Sequence, residues 1–324
     1  MYQDNNWYGH RKVFLDYCNI NYNYNALAAT QHGWMPIAHR HILGKRSFDS
    51  VIPFLCWSKS VEQLVKKYTT NTHTIGAPFI YLHEIKKKKK YNSKGTLVFP
   101  THNTPEIKTQ FKHEKLIDIV ESQEEGPYTV CLYYTDHKKK NINIYKKKKW
   151  KVVCCGNRRD ENFLFKLYNH ISNAKSVVCS ELTSPLFYSM YLNKKTRIIN
   201  KYKIKNRYYS ISEVEMWNFE ISSYKFFKKR YPSIFKKGLK LKKGKELADI
   251  ELGTKYLKSK KTIKKLMGWD NFLKIYLAKL FAFLMDLKYK KNLRQGKAIR
   301  QGYSKKEYNN LLSNQPKLNL KVIK

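Results

Sequence analysis

The chain lacks an apolar run long enough to cross a bilayer, and no signal peptide opens it. The sequence therefore predicts neither a membrane span nor export, and a cytoplasmic protein is expected. It also lacks a CxxC pair. The six cysteines, Cys18, Cys56, Cys131, Cys154, Cys155 and Cys179, stand apart in mostly apolar, strand-like runs. That spacing argues against a zinc knuckle or a dithiol motif and predicts buried free thiols in a reducing compartment. No carboxylate or cysteine falls at an interval matching His32, His39 and His41, so neither a metal nor another cofactor is expected. An aromatic-rich RNA-reading strand and a GXXG loop are missing too, which argues against nucleic acid as a partner. Acidic residues are scarce, 24 against 65 Lys and Arg, for a net charge of +41. Two causes fit this excess. One is selected basicity toward an anionic surface. The other is a biased genome, since Lys, Asn, Ile and Tyr share A/T-rich codons.

What is present is a folded chain. Its 324 residues are 42% hydrophobic, enough for a sizeable core and two domains. Residues 1–90 read as a small α/β unit. Lys12–Tyr17 is a strand or short helix, Gln31-His32-Gly33-Trp34 a glycine-marked turn, and Val51–Cys56 a strand. Ser60-Val61-Glu62-Gln63 is a capping-box pattern opening a helix through Tyr68. Thr74–Leu82 reads as a strand broken by Gly76 and Pro78. The lysine run Lys86–Lys90 is a solvated boundary, because like charges repel and do not pack.

Residues 91–205 alternate regularly. The spacing predicts strands at Thr96–Phe99, Tyr128–Tyr134, Trp150–Cys155, Ser176–Cys179 and Thr196–Ile199, with helices at Glu106–Glu121, Asp160–Ser172 and after Pro185. This pattern predicts an α/β fold with a Rossmann-type, doubly wound parallel sheet. Ligands of such sheets bind outside the carboxyl ends of the strands. The loops leaving those ends carry Thr101 and His102, Asp136, Gly156-Asn157-Arg158, and Glu181, Thr183 and Ser184. Ser184 before Pro185 reads as an N-cap with proline at the first helical position. Hydroxyls at such a helix start suit a phosphate, though they equally suit plain capping. On one rim, a histidine, an arginine, a glycine turn and a helix start make a site for a phosphorylated ligand.

Residues 206–324 form a basic tail with helices predicted at Ser212–Arg230, Lys245–Lys258 and Ser259–Met267, the last ending at Gly268. Asn271–Leu287 is its strongest helix, followed by Lys288, Lys290, Lys291, Arg294, Lys297 and Arg300. It reads either as a helix packed on the body with a solvated basic end, or as an interfacial element over 271–306 on anionic lipid.

Taken together, Gln31–Trp34, Ile75-Gly76-Ala77-Pro78-Phe79, Val98-Phe99-Pro100-Thr101-His102, Cys155-Gly156-Asn157-Arg158 and the TSPLFYSMYLNKK stretch resemble bacterial glycosyltransferases of the two-lobed GT-B type, which build capsule and lipopolysaccharide. The resemblance covers about residues 28–199. It implies a nucleotide-sugar donor on the second lobe, a polysaccharide or glycolipid acceptor on a short first lobe, and no essential metal. On it, Thr183 and Ser184 would hold the donor phosphates, with Thr101, Gly156, Asn157 and Glu181 beside them. His102 and Arg158 would neutralise the leaving nucleotide, and His32 would be the base. Two variants share the fold. Wall-polymer glycerol- or ribitol-phosphate transferases are one. Bacterial sialyltransferases are the other, and Thr183-Ser184 and Glu124-Glu125-Gly126 are similar to their motifs, although in a different order. A non-catalytic basic protein holding nucleic acid or an anionic membrane is the reading from another class.

Overall fold

The computed structural model describes residues 4–34, 52–66, 69–103, 108–199, 205–208, 228–229, 232–235 and 239–280. It is an α/β fold built on two separate parallel sheets. The smaller sheet runs β1 (Ala29–Thr30), β2 (Phe54–Cys56) and β3 (Thr72–Thr74) in that spatial order. The helices α1 (His10–Tyr17), α2 (Lys59–Val65) and α3 (Pro78–Lys86) accompany it. Ser58 caps α2, its hydroxyl accepting from Val61 N at 3.5 Å, so the cap lies two residues before the Ser60 expected from sequence.

Thr74–Leu82 is corrected outright. Its strand is the polar Thr72–Thr74 just upstream, and Pro78 opens a helix at the position where a missing N–H costs nothing. Pro78–Leu82 are buried throughout, so no amphipathic period marks that helix in the sequence.

The larger sheet joins β4 (Thr96–Phe99), β6 (Tyr128–Cys131), β7 (Lys151–Val153), β8 (Ser176–Cys179) and β9 (Lys195–Ile198) in the order β7-β6-β4-β8-β9. All pairs are parallel. The chain starts at the middle strand, builds outward to β7, then returns to the other side of β4 with β8. That reversal is the topological switch point of a doubly wound sheet, and it falls between β4 and β8. The period-two alternation is clean: Leu97, Val177 and Cys179 face one cluster, while Val98, Val130 and Val178 face another. Helices α6 (Phe163–Ser172) and α7 (Ser184–Tyr191) cover the first face, and α4 (His113–Glu121) and α5 (Lys139–Lys147) the second.

The helix expected over Glu106–Glu121 is shorter than its periodicity suggests. Lys108–Gln110 is a strand, β5, paired antiparallel with β10 (Lys205–Tyr208). The lysine-rich segment before β7 holds α5, anchored by the buried Tyr145.

The two sheets share one apolar cluster. Phe79 of α3 stacks on Tyr188 of α7 with centroids 4.0 Å apart and planes 3° from parallel. The tail enters the same cluster through α8 (Leu241–Leu252) and α9 (Lys260–Met267), by way of Leu247, Leu252, Ile263 and Met267. Backbone bonds tie it to the first sheet's region, Ala77 N to Leu252 O at 2.8 Å and Leu27 N to Met267 O at 3.0 Å. Of the tail elements expected, Ser259–Met267 ends at Gly268 in the left-handed conformation, as read. Ser212–Arg230 lies outside the described residues except 228–229, and the segment 271–306 is described only through 280. Among the described residues, no helix is long and apolar enough to cross a membrane. All six cysteines are free, with Cys131 and Cys155 Sγ 3.6 Å apart.

Candidate functional site

Parallel pairing sets the carboxyl ends of β4, β6, β7 and β8 along one edge, with the loops carrying Thr101–Asn103, Tyr133–Asp136, Gly156–Arg158 and Ser180–Thr183. Side-chain bonds fix these loops to one another. The buried Asp136 accepts from Asn103 N at 2.6 Å and from Asn103 Nδ2, binding the β4 loop to the β6 loop. His102 lies with its ring 4.6 Å from that of Tyr133. Gly156 has φ +97°, and a Cβ there would stand 2.2 Å from Asp160 Oδ2. Asn157 accepts from Arg159 N at 2.7 Å, an Asx turn, so its exposed side chain shapes the loop.

The N-terminal segment lies across these ends. Tyr8 N donates to Arg158 O at 2.6 Å, and the Tyr8 side chain is hydrogen-bonded to Tyr133. The Arg158 guanidinium sits over the Trp7 ring at 4.8 Å, a cation–π contact. Trp7 in turn meets His32 edge-on at 5.4 Å. His32 comes from the turn after β1, which Gln31 builds. Gln31 Nε2 donates to Gly33 O at 2.8 Å, and its Oε1 accepts from Trp57 N at 2.8 Å. Trp34 N then donates to Ser184 Oγ at 3.0 Å, and Trp34 Nε1 to Glu251 Oε2 of α8 at 2.8 Å. The carboxyl-end turn of β1 therefore meets the carboxyl-end loops of the larger sheet.

Ser184 is the first residue of α7 and Thr183 is its N-cap, one residue earlier than read from sequence. Because Ser184 accepts from Trp34 N and bonds Tyr188, its hydroxyl fastens the two sheets. Thr183 makes no capping bond.

At the switch point two buried hydroxyls, Thr101 Oγ1 and Ser180 Oγ, have no hydrogen-bond partner. Thr183 Oγ1 is in a similar state, with the Cys179 thiol, a weak partner, beside it. Glu181, half-buried, follows Ser180 in the same loop. Leaving a buried hydroxyl unsatisfied costs about 1–3 kcal/mol, so such groups on adjoining loops single out this end of the sheet as the candidate site.

Burial, then the charge of Arg158, lowers the His32 pKa to about 4. Burial, then His32, lowers that of His10 to about 3, and His10 Nδ1 also has no partner. Both imidazoles are neutral at pH 7.

Glu124, read in the acidic motif, is buried at the opposite edge. It pairs with Arg197 Nε at 3.1 Å and with Lys195 Nζ at 3.2 Å, Lys195 being the first residue of β9. The structure therefore does not bring Glu124 together with the other residues of the candidate site. Tyr8, His10, Tyr133 and Ser180 are site neighbours that the sequence motifs did not mark, and only Ser180, directly after a legible strand, carried a signal. Among the described residues, no group of three or more His, Cys, Asp or Glu could hold a metal ion. No family model matches the chain, and no curated protein matches it in sequence.

Proposed function

We propose that the chain is a glycosyltransferase. It binds a nucleotide-sugar at the switch point of its larger sheet and transfers the sugar to a surface polysaccharide or glycolipid. The observation that carries this reading is the pair of unsatisfied hydroxyls of Thr101 and Ser180 on two adjoining strand ends, with the weakly partnered hydroxyl of Thr183 at a helix start beside them. Donor phosphates accept hydrogen bonds from these hydroxyls and lie at the positive end of α7. The meeting of carboxyl-end turns from both sheets, through Trp34–Ser184 and His32–Trp7–Arg158, supports a two-lobed arrangement with the acceptor on the first lobe.

In the transfer, the acceptor hydroxyl attacks the anomeric carbon as the bond to phosphate breaks. Its proton passes to the neutral imidazole of His32, and the bonding pair leaves with the nucleotide, whose growing charge Arg158 and His102 offset. Burial first, and the charge of Arg158 second, hold His32 at low basicity. A bound diphosphate screens that charge and raises the imidazole's proton affinity as the donor arrives.

The test pairs Thr101→Val with Ser180→Ala. Removing unsatisfied hydroxyls leaves the melting temperature unchanged or higher. The rise in melting temperature that UDP or CMP gives the parent chain disappears in the variant. Equal ligand-induced shifts in both proteins, or none in the parent, refute the site.

A further inference from the structure

After Trp269, which is buried and donates to Asn25 O at 2.9 Å, residues 272–280 are helical. The face turned inward is modest: Ala278 is buried, Ile275 packs on the core, and Lys274 pairs with Asp270 at 3.2 Å. The outward face carries Phe272, Leu273, Tyr276, Leu277 and Leu280, with exposures from 42% at Leu280 to 84% at Phe272. These positions form two neighbouring i, i+4 rows, so the apolar side chains make one continuous stripe, the reverse of ordinary amphipathicity. Monomeric chains rarely leave such a stripe in water without a use for it.

Charge decides what covers it. From Asn271 onward the sequence has thirteen Lys and Arg against two acidic residues, within a chain of net charge +41. Just upstream, Lys260, Lys261 and Lys265 of α9 are exposed. A second copy would bring two strongly positive surfaces together, whereas an anionic lipid surface complements both the stripe and its basic flanks. We infer that the helix over 272–280 docks this protein on anionic membranes, with Phe272, Leu273, Tyr276, Leu277 and Leu280 inserted at the headgroup boundary and the lysines on lipid phosphates. This inference stands apart from the transferase reading.

The whole 324-residue chain is sedimented with vesicles of phosphatidylcholine alone or mixed with phosphatidylglycerol. Binding is expected only to the mixed vesicles, weakening as salt is raised. Leu273→Glu with Leu277→Glu should lower the partition by about tenfold or more, with an unchanged melting temperature because both side chains are exposed. Lys260→Gln with Lys261→Gln should lower it less. Failure of the parent to bind, equal binding to both vesicle types, or undiminished binding by the glutamate variant overturns the inference. So does a parent that dimerises through these leucines, or holds an acidic protein, while ignoring lipid.

Discussion

His10 shows what burial does to a single side chain. It is 1% exposed, its Nδ1 has no partner, and burial holds its pKa near 3. Between pH 6.5 and 3 the unfolded chain binds this proton and the folded chain does not. Stability therefore rises with pH across that window and is lost on acidification, by about 1.4 kcal/mol per pH unit for one such group. Urea midpoints of the parent should fall from pH 6.5 to pH 4.5, and His10→Gln should flatten that fall; parallel slopes would refute the assignment. His10 was invisible as a site neighbour because nothing in its own sequence stretch signals burial. The chain folds back there through Gly9, at φ +74°, where a Cβ would lie 2.2 Å from Glu161 O. His32, by contrast, was singled out in advance, through its glycine-marked turn and the family resemblance that the turn helps to carry. Ser180 was half-legible, since the end of β8 fixes its position on the rim and a lone serine says nothing of its burial.

Among the elements, α2 and β3 are joined through one carboxylate. Burial pushes the Glu62 carboxyl up, but hydrogen bonds from Lys59, Thr74 and Lys66 outweigh it and hold the pKa near 2. Thr72 donates to the same group at 3.4 Å. This depressed group stabilises the fold above pH 4.5, and the contribution is lost as pH falls toward 2. Glu62→Gln is expected to cost about 1–3 kcal/mol at pH 7 in a denaturant titration, and much less at pH 2.5. The polar strand Thr72-His73-Thr74 escaped the hydrophobic pattern because its buried threonines are satisfied by Glu62 instead of by apolar neighbours. Helix α3 escaped for the opposite reason, its first five residues, Pro78–Leu82, being apolar and buried all round. At the end of α8, Gly253 has φ +68° and a Cβ there would stand 1.8 Å from Trp57 O. Gly253→Ala should destabilise by about 1–3 kcal/mol, read as a lower denaturant midpoint. An unchanged midpoint would show that the tail is not held there.

For the whole molecule, the order β7-β6-β4-β8-β9 came only with the structure, but the sheet's parallel, doubly wound character, from strands and helices alternating at a steady pace, was readable in advance. The union of both sheets and the tail in one core was not. Its contacts, such as Phe79 with Tyr188 and Tyr17 OH donating to Lys258 O at 2.9 Å, join residues over a hundred positions apart, and local periodicity carries no trace of them. Phe79→Ala should cost about 3–5 kcal/mol, with the two sheets still melting in one transition. Two separate transitions in calorimetry would mean that each sheet has a core of its own.

The return of α8 and α9 to the first sheet sets a timetable for synthesis. The N-terminal third emerges from the ribosome without the partners of Leu27, Ala77 and Asn25, which arrive only with Leu252, Met267 and Trp269. At about 5–20 residues per second, translation leaves those groups waiting for roughly ten seconds or more. During that interval the apolar side chains that Leu252, Ile263 and Met267 later pack against stay open to chaperones and proteases. A nascent chain halted after residue 230 should be cut readily in its first ninety residues, and one halted well past 280 should resist.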